Sequence, residues 1–289
     1  MHAFDTPQPI LAQIELVVGD LEVEAGERSD TTVEVRPTDA TRAGDLAAAE
    51  RTRVEYADGR LLVRAPRPRS FHPFRDSGSV HVRVALPAGS RVTAETTAAG
   101  GHQLSGRLGD CRLKTAVGGI RLERATELRA QTTAGDIDVA AASGDVVLRT
   151  GTGVVSVGAL EGTTVITNSN GDTAVAEISG ELTVKAANGH IAIDRADGTI
   201  AAKTANGSVR VGAARRGSVV AETALGAVEI GVVAGTAAWL DLHTHFGHVE
   251  NELATTDGPP PDGERLEVRA RSSMGDITVR RSHPAEVPA

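Results

Sequence analysis

Apolar and polar positions along most of this chain recur every eighteen residues. The run Ala186-Ala187-Asn188-Gly189-His190-Ile191-Ala192-Ile193 is repeated in kind by Thr204-Ala205-Asn206-Gly207-Ser208-Val209-Arg210-Val211. The same frame places glycines at Gly100, Gly118, Gly135, Gly153, Gly171, Gly189, Gly207, Gly226, Gly247 and Gly275, at intervals of 18, 17, 18, 18, 18, 18, 19, 21 and 28. A second series, Gly144, Gly162, Gly180, Gly198, Gly217 and Gly235, falls between them. Two glycine turns per period predict two short strands per coil. A fixed period of this length predicts a stacked solenoid, whose units bury their apolar faces only against neighbours.

Counting from each first-series glycine, side-chain alternation puts positions +2 and +4 on one face and +3 on the other. Positions +2 and +4 hold pairs such as Ile137/Val139, Val155/Val157, Ile191/Ile193 and Val209/Val211, which makes that face the core. Position +3 holds Arg121, Asp138, Arg210 and Glu229, a solvent face. Before the glycine, positions −7 and −5 are mainly aliphatic, and −3 is nearly always a small polar residue: Thr97, Thr115, Thr132, Thr150, Asn168, Thr204, Thr223, Thr244 or Ser272, with Ala186 as the exception. Such a column is expected to hydrogen-bond turn backbone from coil to coil.

The pattern therefore predicts an all-β, single-stranded right-handed β-solenoid of about ten coils over residues 91–281, the hand following the general crossover preference. Residues 1–90 read as an irregular β-rich cap with a hairpin across Ala57-Asp58-Gly59, a short helix over Asp45 to Arg51 and an exposed basic loop over Pro66 to Ser79. Proline and glycine between 252 and 265 predict an inserted loop, and 282–289 a flexible tail.

Composition sharpens this picture. Phe, Trp and Tyr make up 2% of the 289 residues, so the core must be thin and built of small aliphatics. A net charge of −8 gives no general attraction to nucleic acid. Cys111 is the single cysteine, which excludes an internal disulfide and any multi-cysteine metal site. Met1 to Ile14 lacks a basic stretch followed by an apolar one, and no run is long and apolar enough to span a membrane, so a cytoplasmic location is expected.

Three patterns offer chemistry. His243, His245 and His248 lie within six residues, and two imidazoles on one strand face can share a metal ion. Three ligands from one turn without an acidic partner make a weak pattern, so no metal or other cofactor is expected. Asp136, Asp172 and Asp276 follow first-series glycines, but the nine-residue repeat of a calcium-binding β-roll is missing, and they read as turn residues. A column at −4, with Lys114, Arg149, Lys185 and Lys203, forms a basic strip that could meet an anionic polymer; the competing reading is that lysines keep a flat face soluble. No phosphate loop, nucleophile elbow or carboxylate pair breaks the repeat.

The eighteen-residue units around Asn188-Gly189 and Asn206-Gly207, preceded by Val17-Val18-Gly19-Asp20-Leu21-Glu22-Val23, resemble the bacterial β-strand-repeat proteins labelled "putative adhesin". The resemblance implies a β-solenoid and no catalytic residues. The expected function is a non-enzymatic scaffold for a protein partner. The alternative is a binder of an anionic polymer or surface glycan, and self-association through solenoid ends is a further expectation.

Overall fold

The computed structural model describes residues 1–66, 78–254 and 264–282. The segments 67–77, 255–263 and 283–289, which include most of the basic loop, the inserted loop and the tail named above, lie outside the described residues. The chain divides into two compact units, Met1–Gly151 and Thr152–Ala289. Both are built from strands stacked in parallel, as the repeat predicts.

The first unit contains β1 (His2–Asp5), β2 (Leu11–Gly26), β3 (Asp30–Pro37), α1 (Ala43–Arg51), β4 (Arg53–Ala57), β5 (Arg60–Arg64), β6 (Val80–Pro87), β7 (Arg91–Ala99), β8 (His102–Val117), β9 (Ile120–Ala134) and β10 (Ile137–Thr152). Residues ahead of 91 are more regular than the sequence suggests. β2 is itself a rung of the stack: Leu11 pairs with Arg60 on one side and Arg91 on the other, and Leu21 with Val82 and His102. The antiparallel elements are β1 on β3, β3 on β6, and the β4–β5 hairpin, which turns through Asp58 and Gly59 at φ 50° and 74°. The helix begins two residues before the expected start. Its buried Asp45 carboxylate accepts the Asp39 N–H at 3.1 Å and the Ser79 N–H at 2.9 Å, and so ties the helix to the entry of β6.

The second unit contains β11 (Val155–Asn170), β12 (Thr173–Asn188), β13 (Ile191–Asn206), β14 (Val209–Leu225), β15 (Val228–Val232), β16 (Ala237–Phe246), β17 (Val249–Asn251), β18 (Arg265–Met274) and β19 (Ile277–Arg281). Val155, Thr173, Ile191 and Val209 stand in line at the start of rungs β11 to β14; β11 to β13 keep that register throughout, and β14 shifts by one residue against β13 between Ala196 and Gly198. The two short strands expected per coil are here one long bent strand. The ladder runs on through the second-series glycines, pairing Gly162 with Gly180, Gly180 with Gly198 and, after the one-residue shift, Gly198 with Gly217, and the strands end at the first series.

Spatial order departs from chain order at the C-terminal end. β18 pairs with β14 on one side and β16 on the other, and β19 lies in the same way between β15 and β17. The last rung in sequence is therefore inserted one place inward, and β16–β17 is outermost. Burial explains the exchange: Leu266, Val268, Ala270, Ile277 and Val279 are fully buried, whereas the corresponding Ala238, Leu240 and Leu242 of β16 are half-buried and Val249 is exposed. The better aliphatic set takes the place with two neighbours.

The first-series corners hold the stack together. A Cβ on Gly207 would stand 2.1 Å from the Gly189 carbonyl oxygen, at φ +141°, and a Cβ on Gly189 the same distance from that of Gly171. Only glycine permits this approach. The contact extends the column beyond the sequence frame, since Gly19 meets Gly100, and Gly275 stands between Gly226 and Gly247. Each crowded carbonyl is then capped from the next rung. Thr115 donates to Gly100 O at 2.8 Å, Thr132 to Gly118 O at 3.0 Å, Thr204 to Gly189 O at 3.1 Å, Thr223 to Gly207 O at 2.8 Å, Ser272 to Gly226 O at 3.0 Å and Thr244 to Gly275 O at 2.9 Å.

Two exceptions are instructive. Ala186 cannot cap Gly171, and Asn168 covers for it: its Nδ2 donates to its own rung's Gly171 O at 2.9 Å as well as to Gly153 O at 3.1 Å. Thr97 is exposed, because a register shift in β7 gives the inward place to Thr96, whose hydroxyl meets buried His102 Nε2 at 2.9 Å. His102 occupies a +2 core position, and its Nδ1 finds no hydrogen-bond partner among the described residues. Burial pushes its pKa down to about 4, opposed by the Asp20 charge.

The capping geometry predicts that Thr204→Val lowers stability by about 1 kcal/mol, and that Asn168→Ala costs about twice as much because it strips two carbonyls. Ala186→Thr should recover part of the Asn168→Ala loss; denaturant titration of each variant checks this. His102, neutral in the fold and with an unfolded pKa of 6.5, contributes stability that is complete above that value and is lost as pH falls toward 4. His102→Val should flatten the fall in melting temperature over that window.

Candidate functional surface

Core side chains interlock from rung to rung, so the chemistry of the second unit lies on its outward faces and corners. The corner residue just before each first-series glycine forms the most distinctive column. Asn188 Nδ2 donates to Asn170 Oδ1 at 2.9 Å, and Asn206 Nδ2 to Asn188 Oδ1 at 2.7 Å, an amide ladder three rungs long. Beyond it the column turns apolar: Leu225 pairs in register with Met274, and Met274 with Phe246. These three side chains are 49%, 52% and 73% exposed. They form a continuous apolar strip on a corner whose earlier rungs are amides.

The sequence candidates fall as follows. His243 and His245 share the outward face of β16, with ring centroids 4.9 Å apart and edge to face. His248 lies past the corner, where its N–H donates to Asp276 Oδ1 at 2.8 Å. Among the described residues no three His, Cys, Asp or Glu side chains come together to hold a metal ion. Asp172 and Asp276 each accept a neighbouring rung's backbone N–H, from His190 and His248, both at 2.8 Å, so these carboxylates act in the turns.

The basic column divides between the units, with Lys114 and Arg149 in the first and Lys185 and Lys203 in the second. Lys114 pairs with Glu95 at 2.9 Å and Lys203 with Glu222 at 3.0 Å, which neutralises half of the strip. Lys185 stands in register between Thr167 and Lys203, and exposed Arg149 lies on β10. Such exposed pairs contribute little to stability. Cys111 is buried, its thiol pKa raised to about 12 by burial and by the Asp110 charge, so it is inert as a nucleophile or ligand at neutral pH.

Sequence reasoning passed over Leu225, Met274, Phe246 and Trp239. The change from Asn206 to Leu225 at the corner was a visible signal, but the strip Leu225–Met274–Phe246 exists only in the rearranged rung order. Trp239 is 57% exposed on β16, with the Arg269 guanidinium 5.8 Å from its ring centroid. Among the described residues no helix is long and apolar enough to cross a membrane.

If the corner amides serve the ladder, Asn188→Leu should cost about 1 kcal/mol by removing the amide hydrogen bonds that Asn188 makes to Asn170 and Asn206. Leu225→Asn should be nearly neutral, because it continues the ladder from Asn206; thermal unfolding of both variants checks the contrast.

Comparison with known proteins follows from this architecture. No curated protein matches the chain. A crystal structure described as a "putative adhesin" from Bacteroides fragilis aligns over 96% of this chain and 95% of its own, at 11% identity and a TM-score of 0.40. A "putative lipid binding protein" from Parabacteroides distasonis aligns over 98% and 94%, at 12% identity and a TM-score of 0.27. A "putative cell adhesion protein" from Clostridium sporogenes aligns over 97% and 98%, at 11% identity and a TM-score of 0.24. The Toastrack DUF4097 family model matches residues 12–280, nearly the whole chain, in keeping with the resemblance carried by the eighteen-residue units. This protein belongs to the Toastrack DUF4097 family.

Proposed function

We propose that this protein is a non-enzymatic interaction module whose right-handed coils form a stiff support for one adhesive corner. The observation that carries the reading is the strip Leu225–Met274–Phe246, three successive rungs of exposed apolar side chains where the preceding three carry asparagine. Large apolar groups left in water in a continuous line mark a contact surface. Flexible methionine beside leucine and phenylalanine suits a protein partner, since aromatic residues and methionine are enriched at protein interfaces. The paired lysines at 114 and 203 leave the basic column a weaker basis for binding an anionic polymer.

The test uses the purified chain as bait in its native extract at about 0.1 M and about 0.5 M salt, where the Debye length shrinks from about 10 Å to about 4 Å. A partner held by the apolar strip should be retained at both salts and lost with Leu225→Asn/Met274→Asn, a variant that keeps the corner hydrogen bonds. Retention by that variant would overturn the reading. Capture of only a salt-sensitive polymer, abolished by Lys185→Glu with Lys203→Glu, would replace it with the anionic-polymer alternative.

A further inference from the structure

The outermost rung carries an inference that goes beyond the proposed corner. β16 pairs with β18 on one side, and among the described residues no strand pairs with its other side. Ala237 donates its N–H to Glu264 O, toward the β18 side. By alternation, the N–H and C=O groups of Leu240, Leu242 and Thr244 point the other way, out of the stack. The side chains of Leu240 and Leu242 are half-buried core leucines that lack a neighbouring layer. Edge strands are usually blunted with lysine, proline or a bulge. β16, Ala-Ala-Trp-Leu-Asp-Leu-His-Thr-His-Phe, has no lysine or proline, and its register with β18 is unbroken from Ala237 to Thr244.

We propose that this edge is completed by a second copy of the chain, β16 pairing antiparallel with β16 about a two-fold axis through Leu242. Residues directly opposed in an antiparallel pair share a face, so a two-fold axis must pass through a residue rather than between two. An axis through Asp241 sets two carboxylates against each other. An axis through His243 opposes two imidazoles and leaves Trp239 facing the corner glycine. An axis through Leu242 packs that leucine on itself in the core layer and opposes Leu240 to Thr244. On the outer face it opposes Asp241 to His243 twice and Trp239 to His245 twice. An imidazole N–H donates to a carboxylate in either protonation state, so the strand's own charge order is complementary to itself in this register alone among the three. The resulting interface is isologous, closes on itself and removes the exposed edge.

The test is sedimentation of the full chain across a concentration series. The wild type should show a monomer–dimer equilibrium. His243→Asp, at an exposed position, should weaken the dimer at least tenfold by opposing two carboxylates, with the melting temperature of the monomer unchanged. Asp241→His combined with His243→Asp restores opposite partners and should regain most of the affinity. A monomer at every concentration, or a dimer indifferent to His243→Asp, would overturn the proposal. Leu225→Asn/Met274→Asn should leave the dimer intact, so the edge and the corner succeed or fail separately.

Discussion

The structure depends on one crowded contact, the first-series glycine carbonyl pressed against the glycine of the next rung. Rungs about 4.8 Å apart leave no room there for a side chain. The corner therefore needs glycine for space and a polar residue three positions earlier to satisfy the carbonyl that the turn removes from the ladder. These requirements together dictate the recurring sequence unit. The second-series glycines are as crowded, a Cβ on Gly198 standing 2.0 Å from the Gly180 oxygen, yet the strands run on through Gly180 and Gly198 and end at the corners of Gly189 and Gly207.

Much of this was legible in the sequence because the fold's period is written as residue identity. Core pairs such as Ile191/Ile193, the capping column at −3 and the hairpin at Asp58-Gly59 follow from alternation and turn chemistry alone. Rung order was not legible. Pairing β2 between β5–β6 and β7–β8, or β18 between β14 and β16, requires contacts between segments distant along the chain, and local periodicity carries no information about which glycine meets which. The intervals of 21 and 28 near the C-terminus announced an irregularity without stating its form. Leu225, Met274 and Phe246 were overlooked for the same reason. Each is unremarkable alone, and they become a surface only when Met274 sits between the other two.

The same rearrangement organises the functional reading. Moving the last rung inward seals the core with Leu266, Val268 and Ile277 and leaves the weaker β16–β17 rung outside, with its aromatic and histidine side chains in solvent. Packing and exposure are separated within the second unit, since the inner rungs bury their aliphatic side chains while Trp239, Phe246 and the corner residues Leu225 and Met274 stand in solvent. His102 and Cys111, both strongly shifted by burial, lie in the core of the first unit, and the exposed Lys114–Glu95 and Lys203–Glu222 pairs contribute little to stability.

Rung order is thus the claim on which the account turns, and disulfide trapping reads it directly. Cysteines replacing Glu222 and Arg271, in register on adjacent strands, should sit about 5 Å apart at Cα and oxidise readily, with buried Cys111 taking no part. Cysteines replacing Glu222 and His243 should sit about 10 Å apart, beyond disulfide reach, although they are the closer pair in sequence. Efficient cross-linking of the first pair and not the second would establish the inserted rung; the reverse would show that the rungs stack in chain order and would remove both the corner strip and the β16 edge.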